Sequence, residues 1–180
     1  MLRGVIPKDK CSDVGWQFSC LVIREYPMPA LETSGATSVL VQIHASGVNP
    51  SDLSCFAGAG CLDQPLLHEF SGTVVRAGDS VDRIRVGDSV WGMSFQGGTL
   101  AQYAVVDSAM AGLRPTSLSA VEAATMPESG LTSLACLKAA GVLPRAARPL
   151  KLAITSGTGG TGFYAVQVRA EPYLTLSCLT

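Results

Sequence analysis

The chain has 180 residues, of which 47% are hydrophobic and 15% charged, and its formal net charge is −1. Such a length and composition are typical of a folded globular protein with an apolar core. The near-neutral charge gives no electrostatic reason to expect nucleic acid or an anionic membrane as a partner. No stretch is long and apolar enough to predict a membrane span, and we expect a cytoplasmic protein, with an organelle as the alternative.

The first half of the chain has the pattern of short β-strands. After an N-terminal strand or extension over residues 1–18, runs of β-favouring residues alternate with Gly, Pro, Asn and Asp. Apolar and polar residues alternate in several of these runs, which predicts strands. The predicted strands cover residues 19–26, 39–48, 70–77, 89–93 and 99–106. We therefore expect an antiparallel barrel or sandwich over residues 19–118.

The pattern becomes helical near residue 115. Ser119 and Glu122 have the spacing of a capping box, which predicts a helix that begins after Ser119. Apolar residues then recur at helical spacing from Thr132 to Ala140, and Gly141 is suited to end that helix. A basic, proline-flanked connector follows over residues 144–149. Residues 119–180 are therefore expected to form a second domain.

A glycine-rich turn is the most informative motif of this second domain. Residues 151–155 predict a buried strand and residues 161–170 a helix, and Gly157, Gly159 and Gly162 between them satisfy the G-x-G-x-x-G spacing. Such glycines let a backbone turn tightly, approach a pyrophosphate and pack helix against strand. A second strand is predicted over residues 173–179. The pattern favours a dinucleotide-binding element, although glycines can also join a strand to a helix without any ligand.

The order of these motifs resembles the medium-chain dehydrogenase/reductase superfamily, and within it the zinc-independent quinone oxidoreductase branch. The resemblance is carried by residues 39–52, 68–75 with 86–92, 98–106, and 130–132 with 157–162. It implies a mixed α/β fold, in which a GroES-like antiparallel barrel precedes a Rossmann domain. It also implies that NADPH or NADH binds in the cleft between the domains and passes a hydride to a quinone or an activated alkene.

The resemblance also implies roles for individual residues. Asn49 would lie near the nicotinamide and Thr132 near the ribose and phosphate of the cofactor. The pyrophosphate would lie against Thr158, Gly159, Gly160 and Thr161, within the turn that Gly157 and Gly162 delimit. Asn49 has two other readings, since an Asn before Pro is also suited to a turn and its amide could bind a substrate carbonyl. Some quinone oxidoreductases place a tyrosine where this chain has Ser54, so the proton donor is not identified by the resemblance.

Zinc is not expected. Many relatives hold a catalytic zinc through a cysteine, a His-Glu pair and a further cysteine or aspartate. Here Asn49 stands in place of the first cysteine, although His68 and Glu69 keep the pair, and Asn is a poor zinc ligand. A site rebuilt from Cys55, Cys61 and His68 is the weaker alternative, because the spacing does not show a convergent set of ligands.

The glycine turn lies close to the end of the sequence. Only 18 residues follow Gly162, whereas a Rossmann domain has about six strands, so we expect a domain truncated after its first units. The residue that distinguishes NADH from NADPH would fall among the last residues, and NADPH is the family's usual cofactor, with NADH as the alternative. One hypothesis is an oxidoreductase represented by a fragment. The other is a non-catalytic structural or interaction subunit, whose open sheet edge binds a partner or a second copy.

Overall fold

The computed structural model describes residues 1–6, 21–33, 35–52, 64–142, 150–168 and 174–179. The chain divides into two compact units, Met1–Pro127 and Glu128–Thr180. Helix α1 (Ala120–Ala124) belongs to the first unit, and its Ala123 and Ala124 are buried. Because α1 packs against strands of that unit, the division falls later in the chain than the predicted boundary between residues 118 and 119.

The first unit is built around a five-stranded antiparallel sheet. Its strands are β3 (Ser38–Ala45), β4 (Glu69–Ala77), β5 (Ser89–Met93), β6 (Tyr103–Asp107) and β7 (Ala111–Leu113). They lie in the order β6-β3-β4-β5-β7. A separate antiparallel pair is formed by β1 (Leu2–Val5) and β2 (Val22–Glu25). Two short 3-10 helices cover Leu31–Thr33 and Ser108–Met110.

The core of the first unit lies on the inner face of this sheet. Side chains alternate between the two faces of a strand, and Val39, Val41, Phe70 and Val74 of β3 and β4 are at most 1% exposed. Val90 of β5 packs in the same cluster. Each such side chain contributes about 1.5 to 3 kcal/mol of hydrophobic stabilisation. The core therefore fixes the register of β3 and β4, between which the candidate site begins.

The predicted strands over residues 39–48, 70–77 and 89–93 are present as β3, β4 and β5. The strand predicted over residues 99–106 begins only at Tyr103, because the N–H groups of Thr99 and Leu100 bond to loop carbonyls at residues 66 and 67. β7 was not predicted, since its sequence Ala-Gly-Leu is short and has no alternation. β2 lies within the strand predicted over residues 19–26, of which residues 19 and 20 lie outside the described residues.

The first helix begins where it was predicted, and the second begins earlier in the chain. Ser119 and Glu122 form both bonds of the capping box at α1, which confirms that prediction. Helix α2 (Pro127–Ala139) begins five residues before the predicted Thr132, because proline is favoured in the first turn of a helix. It is followed by Gly141 at φ +71°, where the N–H groups of Gly141 and Val142 bond back to the last turn, as in a Schellman motif.

The second unit contains a parallel strand–helix–strand element. Strand β8 (Leu150–Thr155) leads into helix α3 (Gly160–Gln167), and β9 (Leu174–Leu179) returns parallel to β8. Their six paired positions run from Leu150 opposite Leu174 to Thr155 opposite Leu179. This arrangement confirms the predicted first βαβ unit of a Rossmann domain. The connector over residues 144–149 and the predicted helix end at Ala170 lie outside the described residues.

Candidate functional site

The first part of the candidate site is the turn that follows β3. Residues 50–52 are helical, so Asn49 occupies the N-cap position and Pro50 the first helical position, where proline is favoured. The carboxylate of Asp52 accepts a hydrogen bond from the Asn49 N–H at 2.8 Å, and the Asp52 N–H donates to the Asn49 carbonyl at 3.0 Å. Asp52, three residues after the N-cap, therefore bonds back to the N-cap N–H, as the acidic residue of a capping box does.

The same carboxylate holds a histidine. Asp52 Oδ1 lies 2.7 Å from Nδ1 of His68, while Oδ2 accepts the bond from Asn49. Asp52 is 2% exposed and His68 28% exposed. A single buried carboxylate therefore links the turn after β3 to the residue that precedes β4. Asp52 is therefore a structural hydrogen-bonding residue of this turn.

Backbone strain lies directly before His68. Leu67 has φ +60°, in the left-handed region that L-residues with a β-carbon adopt at a penalty of about 1 to 2 kcal/mol. Its side chain is 5% exposed, so burial of the side chain offsets this penalty. A glycine at this position would adopt the positive φ without that penalty.

Glu69, at the start of β4, orients the amide of Asn49. Asn49 Nδ2 donates to Glu69 Oε2 at 2.5 Å, and the two residues are 8% and 1% exposed. Because an ionised carboxylate only accepts hydrogen bonds, the amide nitrogen must face Glu69. Asn49 Oδ1 is then an acceptor that points elsewhere. Sequence analysis did not identify Glu69 as this partner, although an acidic residue at the start of an apolar strand is a signal of such a role.

The space around this carboxylate is closed. A β-carbon on Gly47 would collide with Glu69 Oε2 and with the carbonyl oxygen of Ala124 in α1. Ser46 Oγ donates to the Glu69 carbonyl at 2.6 Å and lies 2.6 Å from Oγ1 of Thr99, which is fully buried. The turn after β3 is therefore held against β4 by packing as well as by hydrogen bonds.

Metal ligands do not converge in this region of the structure. Within the described ranges, no group of three or more His, Cys, Asp or Glu side chains is placed to hold a metal ion. The Asp52 carboxylate is bonded to His68, and the Glu69 carboxylate to Asn49. Cys55 and Cys61, which belong to the alternative zinc hypothesis, lie outside the described residues.

The second part of the candidate site is the glycine turn of the second unit. β8 ends at Thr155, and Ser156 turns the chain at φ +53°. The Gly159 N–H bonds to the Ser156 carbonyl at 2.9 Å, and α3 begins at Gly160 with Gly159 as its N-cap. Gly159 has no side chain that could cap this end of α3. The first N–H groups of α3 are therefore not capped by the N-cap residue, as at a phosphate-binding helix N-terminus.

The glycines of this turn differ in whether the surrounding packing leaves room for a side chain. A β-carbon on Gly162 would fall well inside 3.0 Å of the Ser156 carbonyl oxygen, so this glycine is required for close packing of α3 on the turn. Among the described residues, a β-carbon on Gly159 would meet Ser156 alone, at 3.4 Å, an ordinary contact distance. Gly159 is exposed and Gly162 is buried. The packing of the described residues therefore requires a glycine at the third position of the motif, Gly162, but not at the second, Gly159.

Helix α2 packs against the glycine turn and the start of α3. A β-carbon on Gly160 would approach Ser129 Oγ at 2.5 Å, and Ser133 Oγ donates to the Thr161 carbonyl at 2.9 Å. Ser133 is fully buried, whereas Thr132, the residue that the resemblance selects, is exposed. The role of Ser133 was not predicted, because a serine inside a helix gives no signal of what its hydroxyl contacts.

A cavity of about 470 Å³ lies within the second unit beside the glycine turn. Its lining comes from α2, β8 and the start of α3, and includes Cys136, Leu137, Ile154, Gly159 and Gly162. Ligand pockets typically measure about 300 to 1,000 Å³. The exposed turn, the free space at Gly159 and the close packing at Gly162 together fit the roles that a dinucleotide requires of such glycines.

Comparisons with known proteins agree with this geometry. Residues 35–116 match the family described as the alcohol dehydrogenase GroES-like domain. A chloroplast envelope quinone oxidoreductase homolog of Arabidopsis thaliana is 30% identical over 169 residues, which are 86% of this chain and 50% of that protein. The chain spans about half the length of the curated relatives it matches.

Solved structures extend the match over both units. An alcohol dehydrogenase superfamily protein from Novosphingobium aromaticivorans matches 99% of this chain and 52% of its own, with 29% identity and a TM-score of 0.80. The chain belongs to the medium-chain dehydrogenase/reductase superfamily. A mycobacterial protein solved with NADPH matches 89% of this chain and 48% of its own, with 25% identity and a TM-score of 0.72. As a superfamily member, the chain has a GroES-like antiparallel unit followed by the first βαβ unit of a Rossmann-type domain.

Proposed function

We propose that this medium-chain dehydrogenase/reductase chain carries the site of an NAD(P)H-dependent oxidoreductase of the quinone oxidoreductase or enone reductase type. The observation that carries the proposal is the free space at Gly159. That glycine lies in a turn between a parallel strand and a helix, and among the described residues no neighbouring atom is close enough to require a glycine there. A pyrophosphate that approached the backbone closely would require it.

The residues of the second unit would hold the cofactor. Gly157, Thr158, Gly159, Gly160 and Thr161 would bind the pyrophosphate through main-chain N–H groups at the start of α3, while Gly162 keeps α3 close to the turn. In this proposal the exposed Thr132 lies near the ribose and phosphate. NADPH is the proposed cofactor and NADH the alternative, and the NADPH complex of the mycobacterial relative supports this class of cofactor.

The residues of the first unit would position the reacting groups. When bound, the dihydronicotinamide supplies the hydride, and the protein supplies placement. Asn49 is proposed to lie near the nicotinamide with its amide fixed by Glu69, so that Oδ1 is available as an acceptor and one N–H as a donor. The proposed substrate is a quinone or an activated alkene, and the name of the Arabidopsis relative supports the quinone.

The cellular setting is part of the proposal. Among the described helices, none is long and apolar enough to cross a membrane. We propose the cytoplasm or an organelle, and the Arabidopsis relative is named for the chloroplast envelope. Imaging of a fluorescent fusion distinguishes the two. Association of a second copy or of a partner with the edge of the β8–β9 pair stays a prediction. Light scattering of the purified chain tests whether it forms a homo-oligomer.

NADPH oxidation tests the proposed activity. The chain is incubated with NADPH and either a benzoquinone or an enone, and the loss of nicotinamide absorbance is followed. We expect turnover with at least one acceptor, its loss in Gly159→Val, and its retention in Phe163→Val, which changes an exposed residue of the same helix. Equal turnover in the parent and Gly159→Val would contradict the proposed cofactor site.

A further inference from the structure

The carboxylate of Asp52 has both oxygens occupied by different N–H groups. Oδ2 accepts the Asn49 main-chain N–H at 2.8 Å, and Oδ1 lies 2.7 Å from Nδ1 of the His68 ring. Asp52 is 2% exposed, so little water competes for these bonds. The carboxylate is thus the common partner of Asn49 and His68.

This geometry selects one tautomer of the neutral ring. An ionised carboxylate has no proton to donate, so Nδ1 must carry the hydrogen in the bond to Asp52. Nε2 is then the unprotonated nitrogen of the neutral ring. A partner that fixes one ring nitrogen sets the chemistry of the other.

The His68 ring is partly exposed, and its Nε2 atom lies on the side away from Asp52. The His68 side chain is 28% exposed, and among the described residues Nε2 has no hydrogen-bond partner. Asn49, whose amide is fixed by Glu69, shares the Asp52 carboxylate with this ring. Two buried carboxylates therefore hold these groups in place, with Glu69 bonded to the Asn49 amide and Asp52 to the His68 ring.

We propose that Asp52 is a positioning residue that fixes His68 as its Nδ1–H tautomer, so that Nε2 exchanges a proton with the substrate oxygen. The proton step, but not the tautomer, rests on the proposed function. Hydride addition to a quinone or enone leaves an electron pair and negative charge on the substrate oxygen. The protonated ring gives its Nε2 proton to that oxygen, becomes the neutral Nδ1–H tautomer and regains a proton from water.

The alternative is that Asp52 only caps the turn at Asn49. The substitution Asp52→Asn separates the two roles, because an Asn side chain has one accepting oxygen where the carboxylate has two. The Asn49 main-chain N–H cannot change its proton, so the remaining oxygen stays with it and the amide nitrogen faces the ring. That nitrogen can only donate, which forces His68 into the Nε2–H tautomer.

Nitrogen NMR of the imidazole rings tests the tautomer without any cofactor. The chain has two histidines, and the exposed His44 in β3 is an internal control, while His68→Gln assigns the signals. On the neutral rings we expect the Nδ1–H tautomer for His68 in the parent chain and the Nε2–H tautomer in Asp52→Asn, with His44 unchanged. The parent spectrum alone decides the first point if the variant does not fold.

Two results of this experiment overturn the proposal. One is an Nε2–H tautomer for His68 in the parent chain, and the other is an unchanged tautomer in a folded Asp52→Asn variant. Titration with Zn²⁺ is added as a third arm. Saturable shifts of the His68 ring signals at stoichiometric Zn²⁺ would assign Nε2 to a metal and contradict its role with a substrate.

Kinetics of the chain tests the proton step. We expect Asp52→Asn to lower kcat at least about tenfold with little change in the KM for NADPH, and to have less than about a twofold further effect on kcat in a His68→Gln background. An equal effect in both backgrounds would make Asp52 a capping residue only. If NADPH is not turned over by the parent, the proposed function fails, and the NMR result still decides the tautomer.

Discussion

The main-chain oxygen of Ser156 lies so close to Gly162 that a β-carbon there would fall inside 3.0 Å, a separation that real contacts essentially never show. The same oxygen would lie 3.4 Å from a β-carbon on Gly159. Two glycines of one motif thus meet different requirements. Gly162 is required by internal packing. Gly159 is required, in the proposed function, by the approach of a pyrophosphate.

Alanine at these two positions should affect stability differently. We expect Gly162→Ala to lower the free energy of unfolding by about 1 to 3 kcal/mol, since the added methyl group meets main-chain atoms that cannot move aside. Gly159→Ala should lower it by less than about 1 kcal/mol, the size of an N-cap effect. Urea unfolding of both variants measures the difference, and equal losses would contradict the packing account.

Leu67 should tolerate glycine better than alanine. Both substitutions remove a buried side chain, at about 2 to 5 kcal/mol, but only glycine removes the penalty of a positive φ. We therefore expect Leu67→Gly to be more stable than Leu67→Ala. Leu40, which is 4% exposed in β3, is the matched control, because in a strand glycine should be the worse of the two. The same order at both positions would refute the strain at Leu67.

Asn49 and Glu69 should be energetically coupled. Their hydrogen bond is buried and one partner is a carboxylate, a combination that contributes about 1.5 to 3 kcal/mol. A double-mutant cycle of Asn49→Ala and Glu69→Ala, measured by urea unfolding, should give a coupling energy of at least about 1 kcal/mol. Pairing Glu69→Ala with Val86→Ala, an exposed position, should give none. A cycle near zero for Asn49 would contradict the orienting role of Glu69.

The capping box at Glu122 predicts a pH dependence of stability. The Ser119 side-chain hydroxyl and then the Ser119 main-chain N–H lower the pKa of Glu122 below 4.5. Because the folded pKa is below the unfolded value, the stabilisation is fully present above that value and is lost as the pH falls through the folded pKa. Glu122→Gln should therefore be less stable than the parent at neutral pH and approach it in acid.

Ser119 provides the control for this experiment. In a Ser119→Ala background one cause of the lowered pKa is gone, so the pH-dependent part of the Glu122→Gln effect should shrink. Thermal unfolding across the acid range measures both series. A Glu122→Gln effect that is constant with pH would show that the charge of Glu122 does not contribute.

Local signals in the sequence were sufficient for the elements that carry the cofactor proposal. The capping box of Ser119 and Glu122, the stop at Gly141 and the glycine spacing after β8 depend on neighbours only a few residues apart. The βαβ order of β8, α3 and β9 follows from the same local patterns. These elements were predicted because short-range hydrogen bonds and φ preferences specify them.

The polar contacts of the first unit could not be predicted in this way. The bonds from Asp52 to His68 and from Asn49 to Glu69 join residues 16 and 20 positions apart, and only the register of β3 on β4 brings them together. The left-handed conformation of Leu67 is likewise imposed by tertiary structure, since leucine has no local preference for it. Asn49 and Glu69 were both singled out from the sequence, but the hydrogen bond between them was not predicted.

Calorimetric titration of the chain with NADPH, repeated with NADH, tests the central claim most directly. The account predicts saturable binding of NADPH to the parent chain and a dissociation constant raised at least about tenfold, or about 1.4 kcal/mol, in Gly159→Val, while the folded state and Phe163→Val binding are unchanged. A parent chain that binds neither nucleotide, or a Gly159→Val variant with the parent's dissociation constant, would contradict it.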